Sequence, residues 1–198
     1  MSKELLLALA LIGAALFVAI GIYNKLVRLR NITLNSFGQI DVQIKRRHDL
    51  VPNLVEVARK YMAHEEDTLT AVIQARSQAT AAAAPARANP ANAQALGELA
   101  KAEGSLGGAL GRLMVVTEAY PELKADAAMA SLSEEISSSE NRIAFARQAY
   151  NDSILDYNSL AEQFPNNVVA LVCSFKSLPM LQATQSDAER QAPKVTFS

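Results

Sequence analysis

Hydrophobic and polar positions divide the chain into one unbroken apolar stretch followed by several long periodic ones. Leu5 to Ile22, LLLALALIGAALFVAIGI, is eighteen residues without a charge. As a helix it spans ~27 Å, enough to cross the hydrocarbon core of a bilayer. Beyond it, Leu26, Leu29, Thr33, Phe37, Ile40 and Ile44 recur at three- and four-residue steps in a polar background, the period of an amphipathic helix. No proline lies between Leu5 and Arg47, so the membrane helix is expected to continue into the first helix of the following domain.

The run KRRHDLVPNLVE, Lys45 to Glu56, interrupts this pattern. Lys45, Arg46 and Arg47 suit the last turn of a helix, where cations complement the dipole. Asp49 suits the N-cap of the next helix and Pro52 its first turn, with Asn53 following. The run therefore predicts a tight corner between antiparallel helices. Helix two follows, with Leu54, Val57, Ala58, Tyr61, Leu69, Val72 and Ile73 on one stripe. It fades into TAAAAPARANPAN, Thr80 to Asn92, whose two prolines predict a loop or hairpin tip. Helix three carries GSLGGALG, with Gly104 and Gly108, and Gly107 and Gly111, four apart. Each glycine costs a helix about 0.8–1 kcal/mol relative to alanine, so they either admit a neighbouring backbone or mark a kink. Tyr120 and Pro121 open a second corner. Helix four then shows the longest pattern: Met129, Leu132, Ile136, Ser139, Ile143, Ala146, Tyr150, Ile154, Tyr157, Leu160 or Ala161, and Phe164, with Pro165 ending it.

The expected fold is all-α: a transmembrane anchor over 1–22 and an antiparallel up-down four-helix bundle over 23–165, with coiled-coil-like helices near 23–47, 49–84, 91–119 and 125–164. A short apolar segment and a polar tail ending KVTFS fill 166–198, with ambiguous β signals near 168–175 and 194–197.

The net charge of -1 hides an asymmetry, since residues 23–48 hold six Lys/Arg against Asp41 alone. These cations form a juxtamembrane band rather than a nucleic-acid face. Their position after the span favours a single-pass protein of the bacterial cytoplasmic membrane with its domain inside. A cleaved signal peptide ending near Ala19-Ile20-Gly21 is the competing reading, disfavoured by the length of the apolar run. Cys173, the single cysteine, is expected to be a small buried hydrophobe in VVALVCSF.

Candidate chemistry is sparse. His64, Glu65, Glu66 and Asp67 lie within one turn, but a solvated helix face explains them better than a metal or acid-base site. Tyr150-Asn151 and Tyr157-Asn158 repeat one heptad apart, which favours core filling and register over a ligand strip. Arg46, Arg47, Arg76 and Arg147 are the candidates for an anion site, against the commoner reading as helix-end or paired arginines. No nucleophile, phosphate loop or metal-ligand spacing stands out, so neither an enzyme nor a cofactor is expected.

YNKLVRLRN (Tyr23 to Asn31), RRHDLVPNLVE (Arg46 to Glu56), His64-Glu65, Ala75-Arg76, AYPELKA (Ala119 to Ala125), ARQAYND (Ala146 to Asp152), Tyr157-Asn158 and Phe164-Pro165 occur in this order. Together they resemble the LemA family of bacterial membrane proteins across nearly all of residues 23–198. The resemblance implies an N-terminally anchored antiparallel helical bundle, brings no catalytic residues, and includes a magnetosome-associated relative that points to membrane organisation. Other relatives end their leader in a lipoprotein cysteine, which this sequence lacks; their bundle lies outside the cytoplasmic membrane, which leaves orientation open. The expected role is a non-enzymatic scaffold whose partners are the lipid bilayer, further copies of itself as a homo-oligomer, and membrane or envelope proteins, not nucleic acid. The alternatives are a ligand-binding sensor that transmits a helix shift, and an oligomer that shapes the membrane through its cations.

Overall fold

A computed structural model describes residues 2–181, and every regular element among them is helical. The elements are α1 (Lys3–Arg59), α2 (Glu66–Ala88), α3 (Ala93–Thr117), the single turn α4 (Pro121–Lys124), α5 (Ala127–Glu162) and α6 (Asn166–Val172). Residues 168–175 are therefore helix and turn rather than strand, while the ambiguous run near 194–197 and the tail KVTFS lie outside the described residues.

The largest departure from expectation is the first corner. Lys45 to Glu56 is not a corner: α1 runs through it to Arg59, with Pro52 inside the helix, and the turn falls at residues 60–65. A proline in a helix interior removes the N–H that would bond the carbonyl four residues back, here that of His48. The Nε of Arg76, from α2, donates to that carbonyl at 2.9 Å. The orphaned acceptor is thus satisfied from a neighbouring helix, and α1 need not end. Asp49 and Asn53 consequently sit exposed on mid-helix turns instead of capping anything.

The second departure is the alanine-rich loop. α2 extends through Pro85 to Ala88, leaving only 89–92 as connection. Alanine has the highest helix propensity, and Pro85 falls so near the end that one lost bond ends little. Arg87 then ties the last turn to α1 through a forked pair with Asp41, at 2.7 and 2.8 Å. Asn92 caps α3, accepting from the N–H groups of Gln94 and Ala95.

The described residues form two compact units, one from 2–36 with 149–180, the other centred on 37–148. In the second, α2 packs on α3. The alanine stripe of α2 (Ala75, Ala79, Ala83, Ala86) meets a stripe of larger residues on α3 (Leu96, Leu99, Leu106, Leu110, Leu113), all buried. The two corners of this unit are pinned by phenols. Tyr61 donates to Asp126 at 2.9 Å and Tyr120 to Glu65 at 3.1 Å. Asp126 also caps α5 through the N–H groups of Ala128 and Met129. These hydrogen bonds, that of Tyr61 foremost, hold its carboxyl below the usual aspartate range.

In the first unit, Leu26, Thr33, Tyr150, Ile154 and Tyr157 are buried, as the two expected stripes require. Ile73, expected in the core of the other unit, is instead 42% exposed, and Phe164 of this unit 83%; Cys173, expected to be buried, is exposed. Phe164 lies past the last turn of α5, at a cis Phe164–Pro165 bond, where the stripe has no helix left to continue it.

The Arg76 substitution for a backbone donor is directly testable. Arg76→Ala is expected to cost about 1–3 kcal/mol, the range for a buried acceptor left unpaired. Adding Pro52→Ala, which restores an N–H for His48, should recover most of the loss. Unfolding of the single and double variants, read as a double-mutant cycle, checks this; strictly additive effects would refute the pairing.

Candidate functional site: a buried ion network beside a glycine-lined groove

Between Phe37 and Ala58 the buried stripe of α1 runs Phe37, Ile40, Ile44, Arg47, Val51, Leu54 and Ala58 in alternating three- and four-residue steps, with His48 and Val55 buried beside it. Arg47 therefore occupies a core position. On α3 the buried series Leu96, Leu99, Glu103, Leu106, Leu110 and Leu113 does the same with Glu103. Helical geometry obliges both charges to point inward, where isolated charge is costly, and the fold sets them against one another.

The Arg47 and Glu103 side chains are only 4% and 1% exposed and form an ion pair through Nη2 and Oε2. The other carboxylate oxygen of Glu103 accepts from Nε2 of His48 at 2.7 Å. Nδ1 of His48 meets the Thr80 hydroxyl at 3.2 Å, and that hydroxyl also bonds the Arg76 carbonyl at 2.9 Å. Burial alone would raise the Glu103 pKa, but the His48 hydrogen bond and the charge of Arg47 outweigh it and hold the carboxyl below its ordinary value. Glu103 is thus the anion that two consecutive residues of α1 share.

Beside this network lies a cavity of about 300 Å³ lined by Arg47, Glu103, Gly104, Gly107, Glu140 and Arg147, among others. Glu140 reaches Arg47 at 3.9 Å. The Nε atoms of Arg47 and Arg147 are buried without a partner in the protein. Burial, the largest influence, and the charge of Arg47 lower the Arg147 pKa against the pull of Glu103 and Glu140. The helix-three glycines resolve here. A Cβ at Gly107 would meet only a Glu140 oxygen at 3.9 Å, and one at Gly108 or Gly111 nothing within 4 Å. No neighbouring backbone approaches these three positions and α3 is unbroken; Gly107 and Gly108 line the groove, where the missing side chains leave it open.

Of the four candidate arginines, Arg47 and Arg147 share the groove and Arg76 braces α1, whereas Arg46 makes a surface pair with Glu135 at 3.4 Å. His64 is exposed in the loop and Glu65 is bonded to Tyr120. Pro121 begins α4 and Pro165 precedes α6. Tyr150 is buried, its phenol pushed up to about 12 by that burial, and Asn151 lies half-buried beside it in sequence. Tyr157 donates to the Lys176 carbonyl at 3.0 Å, and Asn158 grips Leu178 through both its N–H and its carbonyl, at 2.9 and 3.0 Å. The repeated Tyr-Asn is thus a clamp on the following chain at its second copy. Sequence reading missed Glu103 and His48; the signal was a carboxylate standing in a leucine stripe.

Glu103→Gln keeps the shape but strips the counter-charge from Arg47, and should cost about 3–5 kcal/mol, as breaking a buried pair does. Because the folded carboxyl titrates below the ordinary value of 4.5, its contribution is complete above that value and is lost as pH falls through the folded one. Hydrogen exchange of α3 amides against pH should show this acid loss in the wild type and its absence in Glu103→Gln; matching profiles would exclude the role.

Residues 36–197 match the LemA family. The chain is 26% identical over 194 residues to "Magnetosome protein MamQ 2" of Paramagnetospirillum magneticum, covering 89% of this chain and 71% of that one. It is 25% identical over 190 residues to "Magnetosome protein MamQ" of Magnetospirillum gryphiswaldense, covering 87% and 70%. It is 29% identical over 174 residues to "Protein LemA" of Metamycoplasma hominis, covering 88% and 75%. With the family pattern matched over most of its length, this chain belongs to the LemA family.

Proposed function

We propose that the chain is a non-enzymatic, membrane-anchored helical scaffold: an antiparallel up-down bundle on a single-pass anchor in the bacterial cytoplasmic membrane, self-associating and organising protein partners at the bilayer. One observation carries this reading. The polar motif residues Arg47, His48, Arg76, Tyr120, Tyr157 and Asn158 bond to one another's elements or to backbone; they brace helices rather than converge on a substrate position. The N-terminal part of α1 is long and apolar enough to cross a membrane, and relatives named as magnetosome proteins support a role in organising membrane assemblies. Val115 and Phe145, 73% and 70% exposed, are surfaces that a partner would cover. In native mass spectrometry the full chain in lipid nanodiscs should appear as an oligomer, weakened by Phe145→Ser. A strictly monomeric protein that cross-links to nothing in cells would end this reading.

The groove supports a second reading, a sensor that takes a small anion between Arg47 and Arg147, whose unpartnered Nε atoms are buried there. Inorganic phosphate or a small carboxylate should then raise the melting temperature of the full chain and fail to do so in Arg147→Gln. No shift with either anion class would dismiss it.

A further inference from the structure

Phe164, Val168, Leu171 and Val172 are 83%, 52%, 82% and 77% exposed. Val168, Leu171 and Val172 are spaced three and four apart and so share one face of α6, and the sequence NNVVALV carries no charge. The opposite side is occupied, since Ala170 is buried. Such a concentration of large apolar side chains on a short surface segment marks an interaction site.

The chain after α6 places that site. Ser174 adopts a left-handed conformation, φ 59, with its N–H on the Leu171 carbonyl at 3.2 Å and the Phe175 N–H on the Ala170 carbonyl at 2.9 Å, a Schellman ending. The reversal brings Phe175 edge-on against Tyr23, ring centroids 5.5 Å apart. Tyr23 directly follows the uncharged stretch Leu5 to Ile22, where a membrane helix leaves the hydrocarbon and where tyrosine is favoured. Tyr157 and Asn158 fix the chain there through Lys176 and Leu178. Lys25, Arg28, Arg30 and Lys176, all exposed, supply cations at the same level for anionic headgroups.

We infer that α6 with Phe164 is a second membrane contact, an apolar segment lying in the interfacial layer beside the emerging anchor and taking lipid as its partner. This rests on the anchor reading of α1. The segment is joined to the end of the uncharged stretch through Phe175 and Tyr23, and the neighbouring cations match a lipid headgroup layer better than the apolar surface of another copy.

The single native cysteine, Cys173, is exposed at the end of α6 and serves as the probe. The full chain, labelled there with an environment-sensitive fluorophore, is placed in nanodiscs of phosphatidylcholine and phosphatidylglycerol. Blue-shifted emission, quenching by a nitroxide high on the lipid acyl chain and protection from aqueous iodide are expected. The combined substitutions Phe164→Ser, Leu171→Ser and Val172→Ser should abolish that quenching. A second probe, Leu11→Cys in a Cys173→Ala background, reports the anchor alone. Deep quenching at position 11 with full iodide access at 173 would overturn the α6 contact while leaving the anchor intact. Blue-shifted emission at 173 without lipid quenching would overturn it in favour of a protein partner. No lipid quenching at 11 would overturn both readings together.

Discussion

The carboxylate of Glu103 is the constraint on which the helical domain depends. It is an ionised group with 1% of its side chain exposed, and nothing apolar could compensate its desolvation. Its two oxygens receive Arg47 and His48, neighbours on α1, so α3 can sit against α1 in one register only. A slide by one helical turn would strand a buried anion and a buried cation in hydrocarbon. Apolar burial supplies the bulk of the folding free energy, but leucine and alanine stripes tolerate shifts that paired charges do not.

That register matters because α1 is shared between two tasks. One helix, Lys3–Arg59, contains both a stretch long and apolar enough to cross a membrane and the residues gripped by Glu103. It persists past Pro52 because Arg76 takes over the donor role that proline abandons. His48 joins the two devices: its side chain meets Glu103 while its carbonyl receives Arg76. The proposed anchor, carried on the same helix as this brace, is a reason for such polar investment in the interior.

Much of this was legible in the sequence. The span of α5 follows from its periodicity and that of α3 from the proline-marked turns on either side, the apolar stretch announces itself, and the stripes Leu26 to Ile44 and Met129 to Ala161 are largely the observed cores. The first corner was misread because the local signals at Lys45 to Pro52, cations and then aspartate and proline, fit a helix end, whereas the rescuing side chain lies 24 positions away at Arg76. The loop over residues 80–92 was overextended because two prolines outweighed a run of alanines. Once the corner was assumed, the three- and four-residue steps through Arg47 could not be counted, so its core position, and that of Glu103 facing it, went unseen. The exposure of Phe164 and Cys173 was hidden for a different reason: apolar composition alone does not distinguish a core position from an apolar surface.

The most direct test of the central claim, that Arg47 and Glu103 form a brace rather than a reacting site, is the coupling between them. Arg47→Met and Glu103→Leu, singly and together, are compared by the opening free energy of α3 amides in the full chain. Each single variant should lose about 3–5 kcal/mol by breaking the buried pair, and the double variant should recover most of the loss, short of the bond between His48 and Glu103. Losses that simply add in the double variant would contradict the account.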